Sequence, residues 1–236
     1  MPKKDTELKG DAKQRIYEAA TQLFARKGYA AVSVRQIAKK AKINISMLNY
    51  YYGGKIGILR EVLSRFYEKY FDAILNVDIK HLSREKLMLK VIQNLIWFYR
   101  ENTMLAVAAH NTFAVDMPEI VDLEMEYVTS RRKQVNEHFV KLGLDTSDCI
   151  TMRVMRGVIS TIISTHFRTK YAWEHTKKSC CMLDSKKIKE FVEEETALEL
   201  NDEFYEKYAE ILANFYLHGL DGITGKEEKK KGGNND

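Results

Sequence analysis

Residues 33–55, SVRQIAKKAKINISMLNYYYGGK, constrain the fold of this chain more than any other stretch. They read as two short helices around a tight turn, followed by a glycine pair and a lysine that open a third helix. Ser33 is placed to cap the first helix, and Gln36 stands three residues on, where a capping box needs it. Ile37, Ala38 and Ala41 then fall on one helical face. Ile43 sits in the turn, where an apolar side chain plugs the angle between the helices, and Asn44 is an N-cap for the second helix. That helix, from Ile45 to about Tyr51, has Leu48 to bury and leaves Ile45, Ser46, Met47, Asn49 and Tyr50 outward. A helix that gives so little to a core and presents small, amide and aromatic groups has the character of the groove-entering member of a helix-turn-helix.

The charge distribution agrees. The formal net charge is +5, yet residues 1–60 hold 13 Lys/Arg against 4 Asp/Glu, and the remainder holds 25 against 29. A basic head on a slightly acidic body implies a polyanionic partner for the head alone. A charge run by itself is most often a solvated face; its coincidence with the helix-turn-helix pattern favours the polyanion. No apolar run approaches the ~20 residues of a membrane span. The polar start, MPKKDTELKGDAKQR, lacks the apolar segment of a signal peptide. The expected compartment is the cytoplasm. Three cysteines do not make a disulfide framework, and reduced thiols are the default.

Along the chain, residues 1–10 read as a disordered start. A helix from about Asp11 to Lys27 follows, with Ile16, Ala19, Ala20, Leu23 and Phe24 as its stripe and Gly28 closing it. A long helix from Lys55 to about Leu75 exceeds what a three-helix head needs, so its far half belongs with a second domain. Further helices are predicted from Ser83 to Glu101, from Met104 to Phe113, and from Pro118 to just before Gly143, the last with Val121, Met125, Val128, Val135, Phe139 and Leu142 as its buried seam. One more is capped by Thr146 or Ser147 and carries a strip of small residues, Gly157, Ser160, Thr161 and Ser164. A short helix is expected at about 185–196, and a last one from the Asn201 cap to His218. The tail reads as disordered. The fold class is all-α, with a disordered start at 1–10, a helix-turn-helix domain at 11–57, a larger helical domain at 58–222 and a tail at 223–236.

Over residues 12–60, the segments IYEAATQLFARKGY, SVRQIAKKAKI and LNYYYGGKIGIL resemble, in order and spacing, the DNA-binding domain of the tetracycline-repressor (TetR) family. The resemblance implies a non-enzymatic transcription regulator, a homodimer that represses from a palindromic double-stranded DNA operator. It also implies a C-terminal domain that dimerises and encloses a small-molecule effector. No cofactor and no membrane partner are implied. The family's base-reading and phosphate-holding sites fall on Val34, Arg35, Ile45, Ser46, Met47, Asn49, Tyr50, Tyr51 and Lys55, with the caps Ser33 and Asn44 beside them. The chain departs from the family at Lys42, where Gly is usual in the turn, at Ser46-Met47, where a small residue is usual, and at Asn49, where a tyrosine often stands.

Chemically, Arg35 suits a bidentate contact to guanine or a phosphate, against the alternative of a plain surface charge. Asn49 suits adenine, or is simply solvated. Ile45 and Met47 can touch a thymine methyl or pack on the first helix, and Tyr50 and Tyr51 can donate to phosphates. Tyr52 is the one of the three tyrosines expected in the core. Lys55 at a helix start joins a cation to unpaired N–H groups, an anion site. Effector candidates are Trp97, His110, Phe113, Tyr127, Phe167 and Trp173, for each of which ordinary core packing is the stronger alternative. A metal site from Cys149, Cys180, Cys181, His166 and His175 lacks ligand spacing, so no metal is expected, and a thiol switch at Cys180–Cys181 has equally little behind it. The predicted dimer interface is a four-helix bundle built from residues 147–168 and 201–218. A helical enzyme or adaptor that keeps the fold, with its function in the C-terminal domain, remains the alternative.

Overall fold

The computed structural model describes residues 3–112, 117–147, 149–176 and 200–224. Among them are nine helices and no strand: α1 (Lys3–Lys27), α2 (Val34–Ala41), α3 (Ile45–Tyr52), α4 (Lys55–Leu75), α5 (Arg84–Glu101), α6 (Thr103–His110), α7 (Pro118–Lys141), α8 (Cys149–Thr176) and α9 (Asp202–Thr224). Local chemistry sets most of the boundaries. Gly28, at φ 74°, ends α1 in the left-handed region that glycine enters without a steric penalty. Ser83 caps α5 by accepting the Lys86 N–H at 3.3 Å. Pro118 occupies the first position of α7, where its missing N–H removes nothing. Asn201 caps α9 through the Phe204 N–H at 2.9 Å.

Several expectations shift. Helix α1 begins at Lys3, so helix covers most of the stretch read as a disordered start; no proline interrupts it after position 2. Helix α8 continues to Thr176 and α9 to Thr224, past their predicted ends. The short helix expected at 185–196 lies outside the described residues, as do residues 225–236 of the tail.

The chain forms two compact units, one of Met1–Phe71 with Glu101–Arg131, the other of Asp72–Arg100 with Arg132–Asp236. In the first unit α6 packs on the head. Its buried residues Leu105 to Ala109 are mostly small, which lets the helix lie close on α1, and Asn111 Nδ2 donates to the Ala25 carbonyl at 2.9 Å. Below them, Ile16, Phe24, Ile37, Leu48, Ile58, Leu59 and Leu63 are fully buried. The second unit has its own core, centred on an aromatic stack: Phe167 lies between Tyr99 and Tyr205, with 5.6 Å between ring centres on each side and interplanar angles of 13° and 8°. Tyr216 of α9 accepts the Ile159 N–H of α8 at 2.9 Å, joining those two helices.

The predicted seam of α7 is only half right. Ile120, Leu123, Val135, Phe139 and Leu142 are buried, whereas Val121 and Met125 are 46% and 52% exposed. Residues 118–131 of this helix belong to the first unit and 132–141 to the second.

Candidate nucleic-acid interface

The two halves of the helix-turn-helix are fixed by their caps. The Ser33 hydroxyl accepts the Gln36 N–H at 3.2 Å, and the Gln36 side chain accepts the Ser33 N–H at 2.7 Å, a complete capping box. Ile37, Ala38 and Ala41 are buried, as their spacing demands. The turn rests on Lys42, which adopts φ 56° and ψ 47° with its side chain exposed. A left-handed conformation costs an L-residue roughly 1–2 kcal/mol. The Ile43 N–H offsets part of this by reaching back to the Ala38 carbonyl at 3.1 Å. Asn44 Oδ1 then accepts both the Met47 N–H at 2.8 Å and the Ser46 hydroxyl at 2.7 Å.

Helix α3 buries a single side chain, Leu48. Ile45, Ser46, Asn49 and Tyr50 are exposed, Tyr50 at 77%, and Met47 and Tyr51 are half-buried. Tyr50 and Tyr51 meet edge to face at 5.1 Å between ring centres. On α2, Arg35 is exposed and Val34 half-buried. Ser33 and Asn44 spend their oxygens on caps, which leaves the hydroxyl proton of one and the amide NH2 of the other for an outside acceptor. Tyr52, expected in the core, is half-buried, and its hydroxyl donates to the Lys13 carbonyl at 3.0 Å.

Gly53 closes α3 at φ 67° by donating to the Asn49 carbonyl. Helix α4 starts two residues later, and the Gly54 carbonyl accepts the Ile58 N–H at 3.3 Å. Lys55 Nζ lies 3.9 Å from the centre of the Tyr29 ring. Burial pushes its pKa below the ordinary lysine value, and an approaching anion would oppose that shift. Sequence reasoning missed Gly57. A Cβ there would stand 1.7 Å from the Tyr52 carbonyl oxygen, so only glycine lets the first turn of α4 lie against the end of α3.

Of the six effector candidates, His110 and Tyr127 lie in the first unit and Trp97 and Phe167 in the second. In the first unit, His110 meets the Phe66 ring edge-on at 5.5 Å. Tyr127 stacks on Tyr67 at 5.4 Å and donates to Glu68 at 3.1 Å. In the second unit, Phe167 is core. Trp97 is 59% exposed and lines a cleft of about 270 Å³ with Gln93, Ile96, Arg100, Asp202, Tyr205 and Glu206. Arg100 pairs there with Asp202 at 2.8 Å and covers the Tyr205 ring at 4.6 Å. Phe113, Cys180 and Cys181 lie outside the described residues, and Trp173 and Cys149 are described in their backbone only. Among the described residues no three His, Cys, Asp or Glu side chains gather as a metal site, and no helix is long and apolar enough to cross a membrane.

A capped helix-turn-helix with an outward-facing second helix, carried on a helical body, defines a class of DNA-binding regulators. The family model described as "Bacterial regulatory proteins, tetR family" matches residues 16–62. The probable HTH-type transcriptional regulator YttP of Bacillus subtilis (strain 168) is 25% identical over 147 residues, 61% of this chain and 70% of that protein. YuxN of the same organism, an uncharacterized HTH-type transcriptional regulator, is 42% identical over 65 residues, 28% of this chain but only 22% of its own length. In fold, the chain is similar to a TetR family transcription regulator from Marinobacter aquaeolei VT8, with a TM-score of 0.61 at 17% identity, covering 92% of this chain and 98% of that one. Residues 16–62 thus match the helix-turn-helix segment of the TetR regulators, and the described helices share the fold of TetR-like structures.

Proposed function

We propose that the protein is a homodimeric repressor that reads a palindromic operator through α3 and is released or repositioned by a small-molecule effector in its helical body. The observation that carries the DNA-reading part is the economy of α3. A helix of 8 residues with one buried side chain leaves Ile45, Ser46, Asn49 and Tyr50 exposed to a partner, a set that combines an amide, a hydroxyl, a phenol and a branched aliphatic group. Those types suit base edges, phosphates and thymine methyls. Arg35 and Lys55 add the cations at either side, and the N–H groups in the first turn of α4 suit a phosphate. Ser33, Val34, Asn44, Met47 and Tyr51 complete the contact set.

The homodimer reading rests on α8 and α9. Ile150 and Val154 on α8 are 73% and 49% exposed, and Ile211 and Phe215 on α9 are 58% and 64% exposed. Ile150, Val154, Gly157 and Thr161 recur at intervals that line up along one face of α8, and Gly157 and Thr161 are exposed too. Ser164, from the same small-residue strip, is 5% exposed and belongs to the core. Apolar stripes of this kind on two joined helices fit a second copy of the same pair, a four-helix bundle with two-fold symmetry. Two heads then meet successive major grooves about 34–36 Å apart, and an effector that changes their spacing changes affinity. A cytoplasmic, non-enzymatic protein is the corresponding reading, since its relatives are transcriptional regulators.

The test is a gel shift with the DNA flanking the protein's own gene. A discrete complex that survives excess random-sequence competitor supports the reading, and binding that random DNA removes completely contradicts it.

A further inference from the structure

Helix α3 has a mounting problem that its core contacts do not solve. Leu48 is its one buried side chain, and a short helix pinned at one point can tilt about that point. Its C-terminal end is held elsewhere, by groups outside the apolar core. The Tyr52 hydroxyl donates to the Lys13 carbonyl of α1 at 3.0 Å, and the Tyr52 carbonyl sits against Gly57 of α4. Two turns further along α4, Arg65 turns back to α1. Its guanidinium lies 3.9 Å from the centre of the Tyr17 ring and donates to Gln14 at 3.3 Å. Glu61, one turn earlier, holds it by two contacts of 2.8 Å, from Nε and from the second terminal nitrogen. Gly57, Glu61 and Arg65 are spaced four apart and share one face of α4; on α1, Lys13 receives Tyr52, and Gln14 and Tyr17 receive Arg65. The path closes on itself: α3 to α1 through Tyr52, α1 to α4 through Arg65, and α4 to α3 through Gly57.

We propose that this clasp is the second anchor of α3, with Tyr52 and Arg65 acting as positioning residues that set the pitch of the recognition helix in the major groove without touching DNA themselves. The inference rests on the reading of α3 as the base-reading helix. Burial and the Glu61 carboxylate push the Tyr52 phenol up to about 12, with Arg65 opposing them, which agrees with the closeness of the three groups. The Tyr52 and Arg65 side-chain contacts add little to folding, because Ile16, Phe24, Ile37, Leu48, Ile58 and Leu63 close the core beneath them and partly exposed ion pairs contribute little to stability. Pose is different. Base contacts are lost over fractions of an ångström, whereas phosphate contacts tolerate such a shift, so a loosened α3 loses specific binding first.

The experiment uses the full chain and a duplex enriched by it from a random pool, compared with poly(dI–dC) as the non-specific probe. Enrichment of a sequence by the native protein tests the underlying reading; the variants then test the clasp. Tyr52→Phe removes only the hydroxyl and is expected to weaken binding to the enriched duplex about fivefold. Binding to poly(dI–dC) should stay within about twofold and the melting temperature within a few degrees. Arg65→Gln should show the same pattern with a larger loss, about tenfold, and Arg65→Lys should not rescue it, because an ammonium has the charge but not the planar fork that stacks on Tyr17 and grips Glu61. If Arg65 instead holds a phosphate, Arg65→Gln weakens both probes alike and lowers the salt slope by about 0.9, which overturns the proposal. Should Arg65→Gln fail to fold, Tyr52→Phe decides alone, and unchanged specific affinity in that variant also overturns it. A native protein that enriches no sequence sinks both the clasp and the regulator reading.

Discussion

Tyr50 on α3 and Phe215 on α9 are both aromatic and both mostly exposed, at 77% and 64%, yet the residues around them define two kinds of surface. Tyr50 stands among Ser46, Asn49 and the capping amide of Asn44, on a helix that buries one leucine. Phe215 stands one turn from Ile211, on a helix joined to the one that carries Ile150 and Val154. The first surface is mostly hydrogen-bonding groups, with Ile45 as its one exposed aliphatic side chain, and suits a wet, polar partner such as a DNA groove. The second has little to offer water and suits a dry partner that matches it, which a second copy does. Exposure alone does not separate them; the chemistry of the neighbours does.

The largest expected effect falls on the backbone that carries the first surface. Gly57→Ala forces a Cβ into the Tyr52 carbonyl, so α3 and α4 must part, and a loss of roughly 3 kcal/mol or more is expected from a clash of this kind. Chemical denaturation with a circular dichroism readout checks it, and a melting curve superimposable on the native one would show that the approach is looser than described. Next comes the second surface. Ile211→Glu with Phe215→Glu should convert dimer to monomer in sedimentation equilibrium without unfolding the chain. Specific DNA affinity should fall about 100-fold as the second head is lost, in keeping with the avidity of linked sites. A dimer that persists would move the interface away from α8 and α9.

Smaller effects separate the roles within the first surface. Tyr50→Ala with Lys55→Ala should weaken binding to every sequence by about tenfold, whereas Asn49→Ala should relax preference at one base pair by ~1–3 kcal/mol. Competition binding over single-base variants of an enriched duplex distinguishes the two. The smallest effect concerns pH. Burial raises the Tyr52 phenol to about 12, so the folded state favours the neutral form. Below pH 10 both folded and unfolded chains keep the proton and nothing changes. Between pH 10 and about 12 the unfolded chain ionises first, so stability falls across that window. Tyr52→Phe should make the fall shallower, while Tyr17, Tyr67, Tyr205 and Tyr208, shifted the same way by burial, keep part of it.

The first surface was far more legible in the sequence than the second. Caps, left-handed turns and one-face apolar spacing are local, so Ser33, Gln36, Asn44, Leu48 and Gly28 announce themselves within a few residues. Lys42 was readable as a departure whose backbone must tolerate a side chain, and it adopts φ 56°. What failed was long-range. Val121 and Met125 fit a helical stripe but are exposed, while Ile120 and Leu123 beside them are buried. Ile150, Val154, Ile211 and Phe215 are apolar at helical spacing, and no local rule tells an internal face from an external one. Gly57 looked like an ordinary residue in a helix start, since the carbonyl that forbids a Cβ belongs to Tyr52, five residues back across a turn. The effector candidates rest on residue type, which says nothing of surroundings: Phe167 is stacked in the core while Trp97 stands at an open cleft.

The most direct test of the division between the two surfaces is the mass of the protein–DNA complex, measured by sedimentation equilibrium on a duplex enriched from a random pool. Two chains per duplex are expected for the native protein, with the enriched sequence carrying two inverted half-sites about one helical turn apart. A single chain bound to a single unrepeated site at full specificity would contradict it.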